Sequence, residues 1–306
     1  MAEKERFIQI FSKNIRNILK QSVEDYDYVT EIRMRVNSPL FVIYKNQEHQ
    51  DRYVVTREDI EETLECASHY SLYAFEEELK QGFITVSGGH RIGVAGKVVL
   101  SGGKVKTIQP AASLNIRFSH QVKGCADGIM SYLYNMESNE VYHTLFISPP
   151  CCGKTTLLRD TVRQVSDGNR QYHGRNVAVV DERSEIGACF QGIPQNDLGS
   201  RTDILDGCPK AEGMMMLIRS MSPSVVAVDE IGGTADLEAL EYVMNCGCRI
   251  LATVHGTSME DIGRKPGLKL LLEEQVFERY VILSSKRGPG TVEDICDGQG
   301  RSLLCG

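Results

Sequence analysis

The stretch "LFISPPCCGKTT", Leu145 to Thr156, decides the fold. A short apolar run leads into a loop that ends in Gly153, Lys154 and Thr155, and a helical run follows from Thr156 to Val165. Strand, tight loop and helix in that order gather backbone N–H groups and a helix N-terminus at one point, which is how a chain cradles phosphate. The segment Pro150, Cys151, Cys152, Gly153, Lys154, Thr155 and Thr156 is therefore expected to wrap phosphates. Lys154 is expected to neutralise the β and γ phosphates, and Thr155 to offer its hydroxyl to magnesium. The usual pattern begins with glycine, and this chain has Ser148 there. That departure is expected to weaken or reshape the site without abolishing it.

Outward from this stretch, apolar strands alternate with helical segments, the pattern of a parallel sheet with crossover helices. Strands are expected at Thr144 to Ile147, Asn176 to Val180, Ser224 to Val228 and Arg249 to Val254. Open α/β sheets bind ligands at the C-terminal ends of their strands, and each of these strands ends in reactive residues. "SVVAVDE" delivers Asp229, a candidate to hold magnesium, and Glu230, a candidate to polarise the attacking water, as in other P-loop ATPases. "VAVVDERSEI" ends in Asp181, Glu182 and Glu185, and "ILATVHG" ends in Thr253, His255 and Gly256. A histidine is more often structural than catalytic, but His255 ends another sheet strand and is well placed to sense the γ-phosphate.

The chain has 306 residues, 42% of them hydrophobic and 25% charged, which is ordinary for a globular protein and long enough for two domains. The division is expected at a mixed α/β N-terminal domain, 1–123, and a RecA-like ATPase domain, 124–306, with a boundary near Gln121 to Asp127. In the first part, Phe7, Phe11, Ile15, Ile18 and Leu19 share one face of a helix expected over Glu3 to Gln21. A hairpin is expected over Glu31 to Val36 and Leu40 to Tyr44. Thr56 should cap a helix running to about Lys80. Strands follow at Phe83 to Val86, Arg91 to Leu100 and Lys104 to Ile108, joined by Gly88-Gly89 and Gly102-Gly103 turns. "LSGGK" at Leu100 to Lys104 resembles an ABC-transporter signature, yet it precedes the phosphate loop and lies between two strands, so it reads as a hairpin turn. The tail after Leu283 reads as loop-rich. A formal charge of −7 argues against a protein that coats nucleic acid, and no apolar run reaches the length of a membrane helix. The ten cysteines, with no signal-peptide core in MAEKERF, are expected to be reduced thiols, and their spacing fits no zinc site.

The order of phosphate loop, acidic box, Asp-Glu box and histidine box resembles the secretion and pilus motor ATPases. Within that superfamily, "EIRMRVNSPL", "GGHRIGVAGKVV", "SLNIRF", "VDERSEI", "GSRTDILD" and "IRSMSPSVVAVDEIGG" resemble blocks of the stage III sporulation protein AA family. The resemblance implies an ATPase with ATP and Mg2+ as ligands. It further implies a homo-hexamer docked in the cytoplasm on membrane proteins of a secretion-like complex, at the mother-cell face of the forespore membrane. On matching positions, Lys154 and Thr155 would bind nucleotide and magnesium, with Asp229 completing the metal site. Glu182 and Glu230 both stand as candidates for activating water, His255 would sense phosphate, and Arg201 would reach nucleotide or a neighbouring subunit. For Arg33, Arg35, Arg91 and Arg117 the ordinary reading is surface pairing, and the resemblance adds a role at a subunit interface. A nucleotide-binding scaffold with little turnover is the alternative.

Overall fold

A computed structural model describes residues 8–45, 47–71 and 75–304. The chain forms two compact units, Met1–His120 and Gln121–Gly306.

The first unit is built on an antiparallel sheet in the order β3-β2-β1-β6-β5-β4, with β1 Val29–Arg35, β2 Pro39–Tyr44, β3 Gln47–Val54, β4 Phe83–Val86, β5 His90–Ser101 and β6 Lys104–Arg117. Helix α1, Lys13–Ser22, begins at a Ser12 cap whose hydroxyl accepts from Ile15 N; the helix expected from Glu3 is interrupted at residues 9–12, and its Glu3 to Phe7 part lies outside the described residues. Phe11, Ile15 and Leu19 are buried as the periodicity required, Ile18 is half-buried, and Phe7 lies outside the described residues. Thr56 caps α2, Arg57–Ala67, in a capping box with Asp59. The single helix expected to Lys80 is broken: His69 and Tyr70 take left-handed backbone, which an L-residue helix cannot continue, and α3 covers only Glu76–Lys80. Strand β3 was not foreseen, since "QEHQDRYV" is polar and mostly exposed and carries no alternation to read. Strand β6 runs past Ile108, where sequence reasoning stopped it, and on through Pro110 with register shifts opposite Gly96. A Cβ on Gly96 would lie 2.3 Å from the Pro110 carbonyl oxygen, so only glycine allows that crossing. Gly102 and Gly103 have φ of 58° and 78° and close the β5–β6 hairpin, so "LSGGK" is a turn. Arg33 pairs with Glu31, while Arg35 and Arg91 lie over the rings of Phe41 and Phe83 at 6.0 and 4.3 Å.

In the second unit, a short helix α4, Met130–Leu133, and the ribbon β7 Tyr134–Asn135 with β8 Glu140–Val141 precede the main sheet. Its strands are β9 Thr144–Ser148, β10 Val177–Asp181, β11 Thr202–Asp206, β12 Val225–Val228, β13 Arg249–His255, β14 Arg279–Ser284 and β15 Thr291–Asp297. They lie in the order β11-β10-β12-β13-β9-β14-β15, all parallel except β15. The four expected strands each shift by about one residue, whereas β11, β14 and β15 were not read from sequence. The tail is thus a paired strand rather than loop.

Strands β9, β10 and β12 are buried at every residue, which is why they read as continuous apolar runs. Alternate residues feed two cores. Phe146, Val179 and Ala227 face α5, Lys154–Asp167, through Leu157, Leu158 and Val162. Ile147, Val180 and Val228 share the other core with Met214 of α6, Lys210–Met221, and Leu240 of α7, Thr234–Asn245. Two further helices, α8 Met259–Gly263 and α9 Pro266–Glu273, extend that second layer with Ile262 and Leu268.

Candidate phosphate-binding site

Strand β13 lies between the phosphate-loop strand β9 and the carboxylate strand β12. Its last residues therefore touch both neighbours. The loop after β9 turns through left-handed backbone at Cys151 and Gly153, with φ of 59° and 83°. Gly153 caps α5, and its carbonyl accepts the Leu157 N–H at 2.9 Å, which aims the first turn's N–H groups at the loop's hollow. Ser148 is the last residue of β9, fully buried and paired opposite His255. Its φ is not positive, and its hydroxyl donates to the Pro149 carbonyl at 2.8 Å. Glycine is not required there on backbone grounds, so Ser148 is accommodated without strain.

Lys154 opens α5 and is only 6% exposed. Its Nζ lies 2.6 Å from Asp229 Oδ1, 3.2 Å from Glu230 Oε1 and 3.1 Å from Thr253 Oγ1. Thr155 Oγ1 donates to Asp229 Oδ2 at 2.6 Å. The Thr253 hydroxyl accepts from Lys154 and from Glu230 N at 2.9 Å and donates to Asp229, so its hydrogen-bonding capacity is fully used. His255 Nε2 stands 2.7 Å from Glu230 Oε1, and Arg183 Nη1 donates to Glu230 Oε2 at 2.8 Å. Glu230 takes left-handed backbone, φ 56°, at the turn after β12.

Burial pushes the Asp229 carboxyl upward, but the Lys154 charge and the hydrogen bonds from Lys154, Thr155 and Thr253 outweigh it and hold the group below its ordinary value. Burial likewise raises Glu230, and Lys154 with His255 brings it below its ordinary value. Both are ionised at neutral pH. Oxygen donors from a threonine and a carboxylate suit a small hard cation. Among the described residues no group of three or more His, Cys, Asp or Glu could hold a metal alone. Magnesium is such a small hard cation, and proteins bind it through one or two carboxylates with phosphate oxygens and water supplying the rest. The residues present fit such an ion, with Thr155 and Asp229 to hold it.

The acidic segment after β10 splits into two roles. Asp181 is 2% exposed and accepts N–H groups from Glu185, Ile186 and Gly187 at 2.8, 2.9 and 2.8 Å. Burial nevertheless pushes its carboxyl up to about 6. Arg159, buried on α5, donates to the carbonyls of Ile186 and Glu185 at 2.8 and 2.7 Å. The loop is thus fixed on its amides by β10 and on its carbonyls by the phosphate-loop helix. Glu182 is ion-paired with Lys210 instead, in a cleft shared with Arg183, Glu185, Asp229 and Glu230.

Arg201 is placed elsewhere. It precedes β11, and its Nη1 donates to the Ser166 carbonyl at 3.1 Å in the last turn of α5. A helix of 14 residues is about 21 Å long, so Arg201 and Lys154 stand at opposite ends of it. Within one chain it does not join the others. Sequence reasoning missed Arg159 and the bridging role of Thr253, and gave the tail no part. Yet Gly290 N donates to the Cys152 carbonyl at 2.7 Å, and a Cβ on Gly153 would lie 2.7 Å from Gly290 N. The β14–β15 turn therefore braces the loop from above. An Arg at α5's sixth position, amid apolar helix residues, was the only signal for the first.

Comparisons place this arrangement among known proteins. The chain resembles the Legionella pneumophila ATPase DotB, with a TM-score of 0.59 at 14% identity, covering 89% of this chain and 76% of that one. It resembles the pilus retraction motor PilT, solved with bound ADP, with a TM-score of 0.57 at 12% identity, covering 87% and 76%. These likenesses show the fold, a RecA-like P-loop unit with a parallel-rich sheet preceded by a smaller mixed α/β unit. Stage III sporulation protein AA of Bacillus subtilis is 44% identical over 296 residues, 96% of this chain and 95% of that protein. Residues 1–303 match the family described as Sporulation stage III, protein AA. The chain therefore belongs to the stage III sporulation protein AA family.

Proposed function

We propose that the chain binds ATP at the loop Pro150–Thr156 and hydrolyses it, coupling the cycle to a membrane-embedded secretion-like complex during endospore formation. The observation that carries this reading is the meeting of Lys154, Thr155, Asp229, Glu230 and Thr253 at the ends of three strands. Phosphate oxygens compete with Asp229 and Glu230 for the Lys154 ammonium, and its release leaves Glu230 free to accept a hydrogen bond from water. A magnesium ion held by Thr155 and Asp229 would offset charge on the transferring phosphoryl group. Glu230, ionised and 3.2 Å from the Lys154 ammonium, is the better placed of the two glutamates to orient water beside the phosphates, because Glu182 pairs with Lys210 rather than with Lys154. His255, hydrogen-bonded to that same carboxylate, links the γ-phosphate position to β13. The likeness to DotB and PilT supports a motor, and a ring of six copies is the assembly we propose for it. Arg201, remote from its own loop, is then left for a neighbouring copy.

The experiment compares ATP binding with steady-state hydrolysis in Glu230→Gln and Glu182→Gln. The reading predicts that Glu230→Gln binds ATP and loses turnover by about a hundredfold or more, the scale on which positioned acid–base groups act. Glu182→Gln should lose far less. ATP binding without turnover in the unmutated chain would instead identify a nucleotide-dependent scaffold.

A further inference from the structure

Residues 95–101 of β5 and 104–106 of β6 are all exposed, so the hairpin's outer half extends beyond the sheet core that buries Ile92, Val94, Leu114 and Ile116. Cross-strand partners are Val98 with Ile108, Val99 with Thr107, Leu100 with Val105 and Ser101 with Lys104. Side chains alternate across a strand and directly paired residues share a face. Val98, Leu100, Val105 and Ile108 therefore line one face of the arm. Lys97, Ser101, Lys104 and Thr107 line the other, with Val99 among them, and Lys106 occupies the extra position where the register shifts. On the apolar face Val98 is 46% exposed, Leu100 62% and Val105 36%. A chain of net charge −7 carries here, from Ala95 to Gln109, three lysines and no acidic residue.

We propose that this arm binds an anionic lipid surface. Apolar residues on one face with lysines on the other match a segment that lies at a bilayer interface, its aliphatic side chains among the acyl chains and its ammonium groups at the headgroups. The composition does not match a protein contact. Protein hot spots are built on Trp, Tyr and Arg, and interfaces are depleted of Lys, whereas the arm from Ala95 to Gln109 offers Val, Leu, Ile and Lys and has no aromatic residue or Arg. A two-stranded ribbon is only marginally stable by itself in water, so it gains from a surface that covers its apolar face. The proposal is independent of nucleotide turnover.

Co-sedimentation of the full chain with phosphatidylcholine vesicles, with and without phosphatidylglycerol, tests it. The chain should bind the anionic vesicles, and salt should weaken that binding. The triple variant Lys97→Gln, Lys104→Gln, Lys106→Gln should lower the partition coefficient about a hundredfold, from three charges near the surface. Leu100→Ser with Val105→Ser should lower it about tenfold or more with the lysines intact. Both sets alter exposed positions, and circular dichroism checks that the fold persists. Absence of binding to anionic vesicles, or equal binding by both variants and the unmutated chain, overturns the proposal. So does loss of self-association in the variants without any vesicle binding, which would make the arm a contact between copies.

Discussion

Thr253 carries no charge, yet three of the site's polar groups meet at its hydroxyl. Replacing it by valine keeps the shape but leaves Lys154 and the Glu230 N–H each short of a partner in a buried place. Each unsatisfied group costs about 1–3 kcal/mol, so Thr253→Val should lower the unfolding free energy by that order, and Thr253→Ser should restore most of it. Thermal unfolding of the two variants checks this; equal stability of all three proteins would remove Thr253 from the account. The residue itself was visible in "ILATVHG", but its role was not, because the role depends on β13 being inserted between β9 and β12. Adjacency in a sheet is a long-range fact that no local pattern encodes. Lys154, Thr155 and Asp229 were legible for the opposite reason, since each follows directly from a strand end and its neighbours in sequence.

The loop after β10 behaves as a unit, and its anchor Asp181 titrates in an accessible range. Its folded pKa, about 6, lies above the ordinary 3.8, so the folded state binds this proton more tightly than the unfolded state. The stability that protonation contributes is therefore full below about pH 4 and is lost as pH rises through about 6. Asp181→Asn should remove that component from the pH dependence of stability. It should also lower stability across the pH range, because an amide accepts through one oxygen only and turns an NH2 donor toward at least one of the three N–H groups. Denaturant titrations at several pH values measure both effects; an unchanged profile would contradict the assignment. The turn Gly288 to Gly290 is a second such element. Gly153→Ala places a Cβ against Gly290 in left-handed backbone, and strain of about 1–2 kcal/mol plus the clash should destabilise both loop and turn. Hydrogen exchange at Gly290 N should accelerate in that variant, and unchanged protection would show the brace is unimportant. That turn escaped sequence reading because its Gly and Pro residues signal a loop without saying what the loop rests on. The interruption after α2 was missed similarly, since nothing in "SHYS" forbids helix.

At the scale of the whole chain, the alternation of apolar strands and helices gave the parallel sheet, while its edge strands β11 and β15 lacked the continuous apolar signature of the buried centre, and β14, an inner strand with the apolar run Tyr280 to Leu283, was overlooked just before a tail read as loop. The site sits where the central strands end, so its main residues were readable and its outer supports were not. No described helix is long and apolar enough to cross a membrane. On the proposed function, removal of divalent cations should abolish turnover, because Thr155 and Asp229 would hold the ion together with phosphate oxygens and it would offset charge on the transferring phosphoryl group. A rate that survives chelation would rule out that geometry. The most direct measurement is steady-state ATP hydrolysis by the purified chain with magnesium, beside Lys154→Ala. The account predicts magnesium-dependent turnover that falls about a hundredfold or more when the ammonium is removed from the phosphate position. Turnover of equal rate in Lys154→Ala would contradict it.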